Sequence, residues 1–248
     1  MATPAATRSV SLTHGSHRYG LVLGLVLVTL MFSIAAPPGT AALLGSTALA
    51  GAVLLASLRA AGSHERWGWA ARSLLALVLA GSIVVALGGG GALERGIVFI
   101  GVSLVAVWAP VAISRGLVRQ VLETGATPNA VAGAIAVYLL VGMFFGFLVV
   151  GIADIASSDY FVSHSSTSLS VDMYFSFITL CTVGYGDYTP ALAIGRGLSV
   201  FEAIIGQLYL VTVVAVLVSN LRGRRAAGPG PPAPRAETGA GEADSRPA

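Results

Sequence analysis

Charged residues are scarce in this sequence. They make up 10% of its 248 residues against 55% hydrophobic residues, and lysine is absent, so that all 14 basic residues are arginines. The apolar residues fall in long uninterrupted runs, which excludes an ordinary soluble core and is typical of a membrane protein. The arginines lie at the ends of these runs, where they anchor and orient membrane segments. We therefore expect a lipid bilayer around the chain and no nucleic-acid partner.

Cysteine and clustered histidine are also lacking. Cys181 is the single cysteine, which excludes an intrachain disulfide. No nucleophile lies in a recognisable catalytic turn, and the histidines are scattered without metal-ligand spacing, at His14, His17, His64 and His164. We expect no enzymatic activity, no small-molecule substrate and no cofactor.

Six apolar segments approach the roughly 20 residues that a membrane-spanning helix needs: 19–36, 41–58, 73–87, 96–113, 130–153 and 198–221. The third is the shortest, but Trp67 and Trp69 just before it can extend it to the membrane interface as aromatic anchors. The sequence therefore predicts an all-α integral membrane protein with six transmembrane helices.

The arginines also predict the orientation of these spans. They precede the first span and follow the second, fourth and sixth, whereas the loop segments 37–40, 88–95 and 154–170 contain one arginine between them. Because basic loops stay on the cytoplasmic side, both termini are expected to be cytoplasmic, in a bacterial plasma membrane. An alternative is that the apolar run 21–34, followed by Ala35, Ala36 and Pro37, is the core and cleavage site of a signal peptide.

Composition divides the chain into a cytoplasmic N-terminus (1–18), a four-helix module (19–113), a linker (114–129), a pore domain (130–221) and a tail (222–248). The linker, with Arg115 and Arg119 among apolar residues, predicts an interfacial helix that is either a passive cuff or a lever reading lipid or tension. Pro110 is expected to kink the fourth span near its cytoplasmic end. The tail is rich in Pro, Gly and Ala, which predicts disorder.

Between the fifth and sixth spans, SLSVDMYFSFITL at 168–180 is too polar to cross the bilayer and too apolar for an ordinary loop. It predicts a re-entrant pore helix at 169–181, capped by Ser168 or Ser170, with Asp172 in its first turn. The return, TVGYG at 182–186, carries Gly184 and Gly186, which allow backbone conformations that a Cβ forbids. A run of carbonyls can then face one axis. One chain has too few carbonyls to surround an ion, so other copies must complete the ring.

These residues resemble the potassium-channel family. The match runs from CTVGYGD at 181–187 through Pro190, and Gly195 with Arg196 resembles the family's Gly–Arg pair at the start of the inner helix, predicted at 197–221. The resemblance covers 130–221 well, including an outer helix at 130–153, and the first four spans hardly at all.

The resemblance implies a homotetramer in which carbonyls replace the hydration shell of a potassium ion. The permeant ion would be the sole ligand. The filter comprises 182–186, and the potassium-binding groups are the Thr182 hydroxyl and the carbonyls of Thr182, Val183, Gly184 and Tyr185.

Two positions depart from the family. Cys181 stands where members usually have a second Thr; it is either a small residue packed behind the filter or a redox or heavy-metal sensor. Ile178 stands where some members carry a Glu paired to the filter Asp. We therefore expect Asp187 to be held differently, by Tyr174, and this contact to affect inactivation.

The sixth span contains candidate gating residues. Glu202 is its one acid, and is either functional or hydrogen-bonded behind the pore helix for structure. Gly206 is either a hinge or a close-packing residue. Arg196 is a further gating or structural candidate. By the resemblance, the central cavity or inner gate, which could close by dewetting, is lined by Gln207, Leu210, Val214 and Val218.

Four spans before a pore are the layout of voltage-gated channels, but the fourth span, GIVFIGVSLVAVWAPVAI, has no basic residue. Since voltage sensors need several charges in one helix, steep voltage gating is not expected. The predicted function is passive potassium conduction. The alternatives are a non-selective cation channel, which usually loses Tyr185 or a filter glycine, a non-conducting modulatory subunit, and an uptake pore with four pore loops in one chain, whereas this chain has one.

Overall fold

The computed structural model describes residues 18–61, 65–88, 90–124, 127–156, 158–162 and 168–226. Within them the chain forms seven α-helices: α1 (Arg18–Ala35), α2 (Thr40–Ala61), α3 (Glu65–Gly88), α4 (Ala92–Thr124), α5 (Pro128–Ile155), α6 (Leu169–Leu180) and α7 (Ala193–Ala226). All except α6 are long and apolar enough to cross a membrane. The described ranges contain no strand, only an isolated antiparallel bridge between Phe161 and Pro190. The prediction of an all-α fold with six membrane-length helices is confirmed.

Small polar side chains inside the apolar helices satisfy their hydrogen bonds locally. Thr29 and Ser57 each donate to the carbonyl four residues earlier, at 2.8 and 2.7 Å. Thr47 on α2 and Ser82 on α3 are also linked to each other at 3.1 Å. Because a membrane interior offers no water to such groups, these bonds let polar residues lie in the spans and join neighbouring helices.

The four-helix module packs directly on α5 through α4. A Cβ at Gly96 on α4 would lie 2.8 Å from the Gly151 carbonyl oxygen on α5, and a Cβ at Gly151 would lie 3.0 Å from the Gly96 carbonyl oxygen. Two glycines therefore permit a backbone approach that larger residues would prevent. Next to these glycines, Arg95 at the start of α4 and Asp154 at the end of α5 form an ion pair at 3.0 Å.

The expected linker at 114–129 is not a separate helix. In the structure α4 runs without interruption from Ala92 to Thr124 and contains Pro110. Proline removes one backbone donor, but buried neighbours such as Ala109 and Ile113 hold the helix against the core on both sides of it. The chain turns after α4, and Thr127 caps α5 by accepting a hydrogen bond from the Ala130 N–H at 3.1 Å.

Other predicted boundaries shift by a few residues. The pore helix predicted at 169–181 is Leu169–Leu180, the outer helix is Pro128–Ile155, and the inner helix is Ala193–Ala226. Residues 222–226, assigned to the tail from the sequence, continue this last helix. The predictions for 1–17 and 227–248 lie outside the described residues.

Candidate functional site

Helix α6 positions the segment that follows it. Its N-terminus is capped by Ser168, whose hydroxyl accepts from the Val171 N–H at 3.4 Å. At its other end, the N–H groups of Val183 and Gly184 donate to the Ile178 carbonyl at 2.8 and 3.1 Å. The main chain directly after α6 is therefore tied back to the last turn of the helix.

Every second residue of 182–186, hereafter the filter segment, has a left-handed backbone conformation. Thr182, Gly184 and Gly186 have φ of 57°, 50° and 79°, and Thr182 is the one non-glycine residue with positive φ in the described part of the chain. When right-handed and left-handed backbone conformations alternate, successive N–H groups point to one side of the chain. That side faces Ile178 on α6, so the carbonyls of the filter segment can face the other. An L residue held at positive φ is strained, which is why two of the three positions are glycine.

The filter segment has no covering wall within a single chain. Residues 181–187 are all exposed, and the side chains of Val183 and Tyr185 are 50% and 72% exposed. A Cβ placed on Gly184 or Gly186 would meet nothing within 4 Å. Non-helical backbone of this kind is compatible with a membrane only when other protein covers it or when it lines a water-filled path.

Asp187, at the end of the filter segment, has the partner expected from the sequence. The Tyr174 hydroxyl donates to Asp187 Oδ2 at 2.9 Å, reaching from α6 across the turn of the chain. Ile178, one turn further along α6, contributes its main-chain carbonyl to the filter segment. The chain beyond Asp187 is held by the Tyr160 carbonyl, which accepts from the Ala191 N–H at 2.8 Å.

Behind α6, Glu202 belongs to a buried hydrogen-bonded group, hereafter the Ser176 triad, that joins three helices. Ser176 Oγ lies 2.7 Å from the Gly142 carbonyl oxygen of α5 and in hydrogen-bond contact with Glu202 Oε1 of α7. Glu202 is 1% exposed and Ser176 is fully buried. A serine hydroxyl carries one hydrogen and cannot donate to both oxygens. All three groups are satisfied when Ser176 donates to Gly142 and a protonated Glu202 donates to Ser176.

Gly206 is a point of close contact between α7 and α6. A Cβ on Gly206 would collide with the Leu180 carbonyl oxygen and lie 2.9 Å from Leu180 Cδ1. Helix α7 passes through this position without a break. Of the two alternatives left by the sequence, the contact favours close packing over a hinge.

Tyr138 on α5 was missed by the sequence reasoning. Its hydroxyl donates to the Leu180 carbonyl at 3.3 Å and lies 3.5 Å from Cys181 Sγ. Tyr209 on α7 stacks on it with ring centroids 5.8 Å apart and donates to the Ala134 carbonyl at 2.7 Å. The available signal was a tyrosine within each of two mostly apolar spans.

The remaining predicted site residues lie on α7. Arg196, Gln207 and Leu210 are exposed in the single chain, on the part of α7 that follows the filter segment. The side chains of Val214 and Val218 lie outside the described set, although both residues belong to α7. All four residues predicted to line the cavity therefore belong to α7, and the structure describes the side chains of Gln207 and Leu210.

Comparison with known proteins concerns this same region. Residues 133–222 match a family model described as an ion channel. Three relatives are potassium channels by name: potassium voltage-gated channel protein shk-1 of Caenorhabditis elegans, 31% identical over 31% of this chain; human potassium voltage-gated channel subfamily A member 7, 33% identical over 32%; and two-pore potassium channel 3 of Arabidopsis thaliana, 26% identical over 44%. No solved structure matches the chain with significance.

These matches cover 15%, 18% and 21% of the respective relatives, so the chain spans a small part of each. The resemblance to the potassium-channel family, read first from 181–190, is confirmed by the matched region. Within the matched region the comparison indicates a channel domain and not an enzyme domain, and together with six membrane-length helices it supports an integral membrane protein.

Proposed function

We propose that this chain is one subunit of a tetrameric, potassium-selective channel, because residues 133–222 match an ion channel model and the relatives are potassium channels by name. In the proposal, the carbonyls of 182–185 and the Thr182 hydroxyl from four copies replace the hydration shell of potassium. The observation that carries it is the filter segment itself. Its alternating backbone is held by α6 on one side and is uncovered on the other.

The exposure of α7 supports assembly with further copies. In α7, 17% of the most apolar 18-residue stretch is buried, compared with 61% in α5. Large apolar side chains including Phe201, Ile204 and Leu208 are 50–62% exposed on it. Lipid could cover these groups, but lipid cannot satisfy the polar backbone of the adjacent filter segment. Three further copies of the chain would cover the apolar side chains of α7 and also the polar backbone of the filter segment.

The fixed position of α4 supports conduction without steep voltage dependence. Arg95 at its outer end is paired with Asp154 of α5, and the next basic residue along the helix is Arg115. Moving one charge through 100 mV is worth about 2.3 kcal/mol, so a sensor needs several charges within the field. The part of α4 between Arg95 and Arg115 contains no charged residue. From the arginine distribution we infer that both termini lie on the cytoplasmic side of the membrane.

Reversal potentials in bilayers test the proposal. We expect the purified chain, under opposed potassium and sodium gradients, to reverse near the potassium potential with a conductance that varies weakly with voltage. Gly186→Ala should abolish this selective current, and Gly197→Ala, a glycine with nothing within 4 Å of an added Cβ, is the matched control. Native mass spectrometry should give four copies.

Each alternative has its own outcome. A reversal potential near zero or near the sodium potential would contradict potassium selectivity. Tetramers without current, in protein that retains its thermal transition, would indicate a modulatory subunit. A steep rise of conductance with voltage would contradict the argument from α4.

A further inference from the structure

A second polar site lies away from the filter segment, at the other end of α6. A partly enclosed cavity of about 120 Å³ is formed where the α1–α2 turn meets α4, α5 and the first turn of α6. Its walls all come from one chain. Pro38 and Gly39 belong to the turn, and Asp172 closes the cavity from α6.

Asp172 is the unusual member of this cavity. The side chain is fully buried, and neither carboxylate oxygen has a hydrogen-bond partner in the described part of the protein. The Asp172 N–H is already used by the helix cap, donating to the Ser168 carbonyl at 3.0 Å. Burying a carboxylate without a donor is strongly unfavourable, and an occupant that donates hydrogen bonds would remove this cost.

The charge of the cavity limits what that occupant can be. Arg95 and Asp154 also line it, but their ion pair at 3.0 Å cancels their charges. When Asp172 is ionised, its negative charge is the one that no side chain of the cavity balances, and a singly charged cation would match it. The described residues contain no group of three or more His, Cys, Asp or Glu side chains that could hold a metal ion, which disfavours a divalent metal.

Part of the wall is apolar and includes an aromatic ring, and Ser168 adds a polar side chain to it. Leu43, Val150 and Phe99 line the cavity beside Asp172. Apolar walls suit the carbon atoms of an organic cation, and an aromatic ring nearby attracts a positive charge.

We propose that this cavity, closed by Asp172, binds the primary ammonium group of a small organic cation. An ammonium has three N–H donors for the two unpartnered oxygens of Asp172 and a single charge that balances it. Because the cavity lies at the ends of membrane-length helices, the ammonium can belong to a soluble amine or to an ethanolamine lipid headgroup. Both sources share the chemistry that recognises Asp172.

The test uses the full chain in phosphatidylcholine nanodiscs at constant potassium and measures the midpoint of thermal unfolding. Ethylamine should raise the midpoint by several degrees, since a ligand that binds the folded state stabilises it. Tetramethylammonium has the same charge but no N–H donor and should give no shift. Asp172→Asn should remove the ethylamine shift, while Asp159→Asn, an exposed acid in the neighbouring loop, should retain it.

Two further measurements identify the source of the ammonium group and control for misfolding of the variants. Nanodiscs containing phosphatidylethanolamine should give the higher midpoint without added amine if the ligand is a lipid, again only with Asp172 present. Ala42→Leu fills the cavity while keeping the acid, and it should also remove the shift. Equal shifts with tetramethylammonium, no shift with either amine source, or a midpoint that responds to acid alone would overturn the proposal. None of these readouts depends on potassium current.

Discussion

The Ser176 triad leads to a specific prediction about the protonation of Glu202. If Glu202 donates a proton to Ser176, then Glu202→Gln replaces one neutral donor by another, because the carboxamide N–H₂ can take the same place. We expect the free energy of unfolding to change by less than about 1 kcal/mol. The protein should still assemble and conduct.

Removing the shared hydroxyl should be far more damaging. Ser176→Ala deletes the 2.7 Å bond to the Gly142 carbonyl and strands the buried carboxyl of Glu202. One lost hydrogen bond plus one stranded polar group costs about 3 kcal/mol. Ser199→Ala on α7 is a suitable control, since the Ser199 hydroxyl donates within its own helix, to the Gly195 carbonyl at 2.9 Å.

Two assays check this reasoning. Thermal unfolding of the assembled channel should rank Ser199→Ala and Glu202→Gln near wild type, with Ser176→Ala well below them. An infrared difference spectrum between wild type and Glu202→Gln should contain the carbonyl stretch of a protonated carboxylic acid. Carboxylate bands in that spectrum, or destabilisation by Glu202→Gln equal to that by Ser176→Ala, would refute the assigned proton.

Three other substitutions test the neighbourhood of the filter segment. Tyr174→Phe removes the 2.9 Å bond to Asp187 and should change the rate at which current decays during sustained opening; an unchanged decay would count against this contact. Gly206→Ala forces a Cβ onto the Leu180 carbonyl and should lower stability by about 1–3 kcal/mol, measured as a lower thermal midpoint, whereas unchanged stability with altered gating would restore the hinge interpretation. Gly186→Ala, at φ of 79°, should abolish potassium flux into vesicles while the chain still inserts, and retained flux would contradict the carbonyl ring.

Local chemistry explains why α6 and the filter segment could be predicted closely. The Ser168 cap and the two filter glycines act within a few residues of their own positions, so the sequence pattern is sufficient. The contact of Tyr174 with Asp187 also joins residues separated by only 13 positions and a single turn. Predictions of this kind depend on one helix and its continuation, not on how helices pack.

Packing explains what could not be predicted. The fourth span and the linker helix were divided after residue 113 by polarity, whereas in the structure α4 is one helix from Ala92 to Thr124, with buried residues on both sides of Pro110. The partner of Glu202 is 26 residues away on another helix, and only the crossing of α6 and α7 brings the two together. The unpartnered state of Asp172 likewise depends on several elements meeting at one cavity.

The contacts of α7 indicate where gating movements are expected. Near the filter segment, α7 is tied to α6 and α5 by the Ser176 triad and by the fit of Gly206 against Leu180. Further along, the Tyr209 hydroxyl bonds the Ala134 carbonyl of α5 at 2.7 Å. Bending α7 between Glu202 and Tyr209 would disturb the buried hydrogen bond of Glu202 and the partly buried one of Tyr209, and lost bonds of this kind are costly. Movement of α7 therefore costs less beyond Tyr209, and we expect variants that weaken the Tyr209 bond to extend this movement toward Glu202.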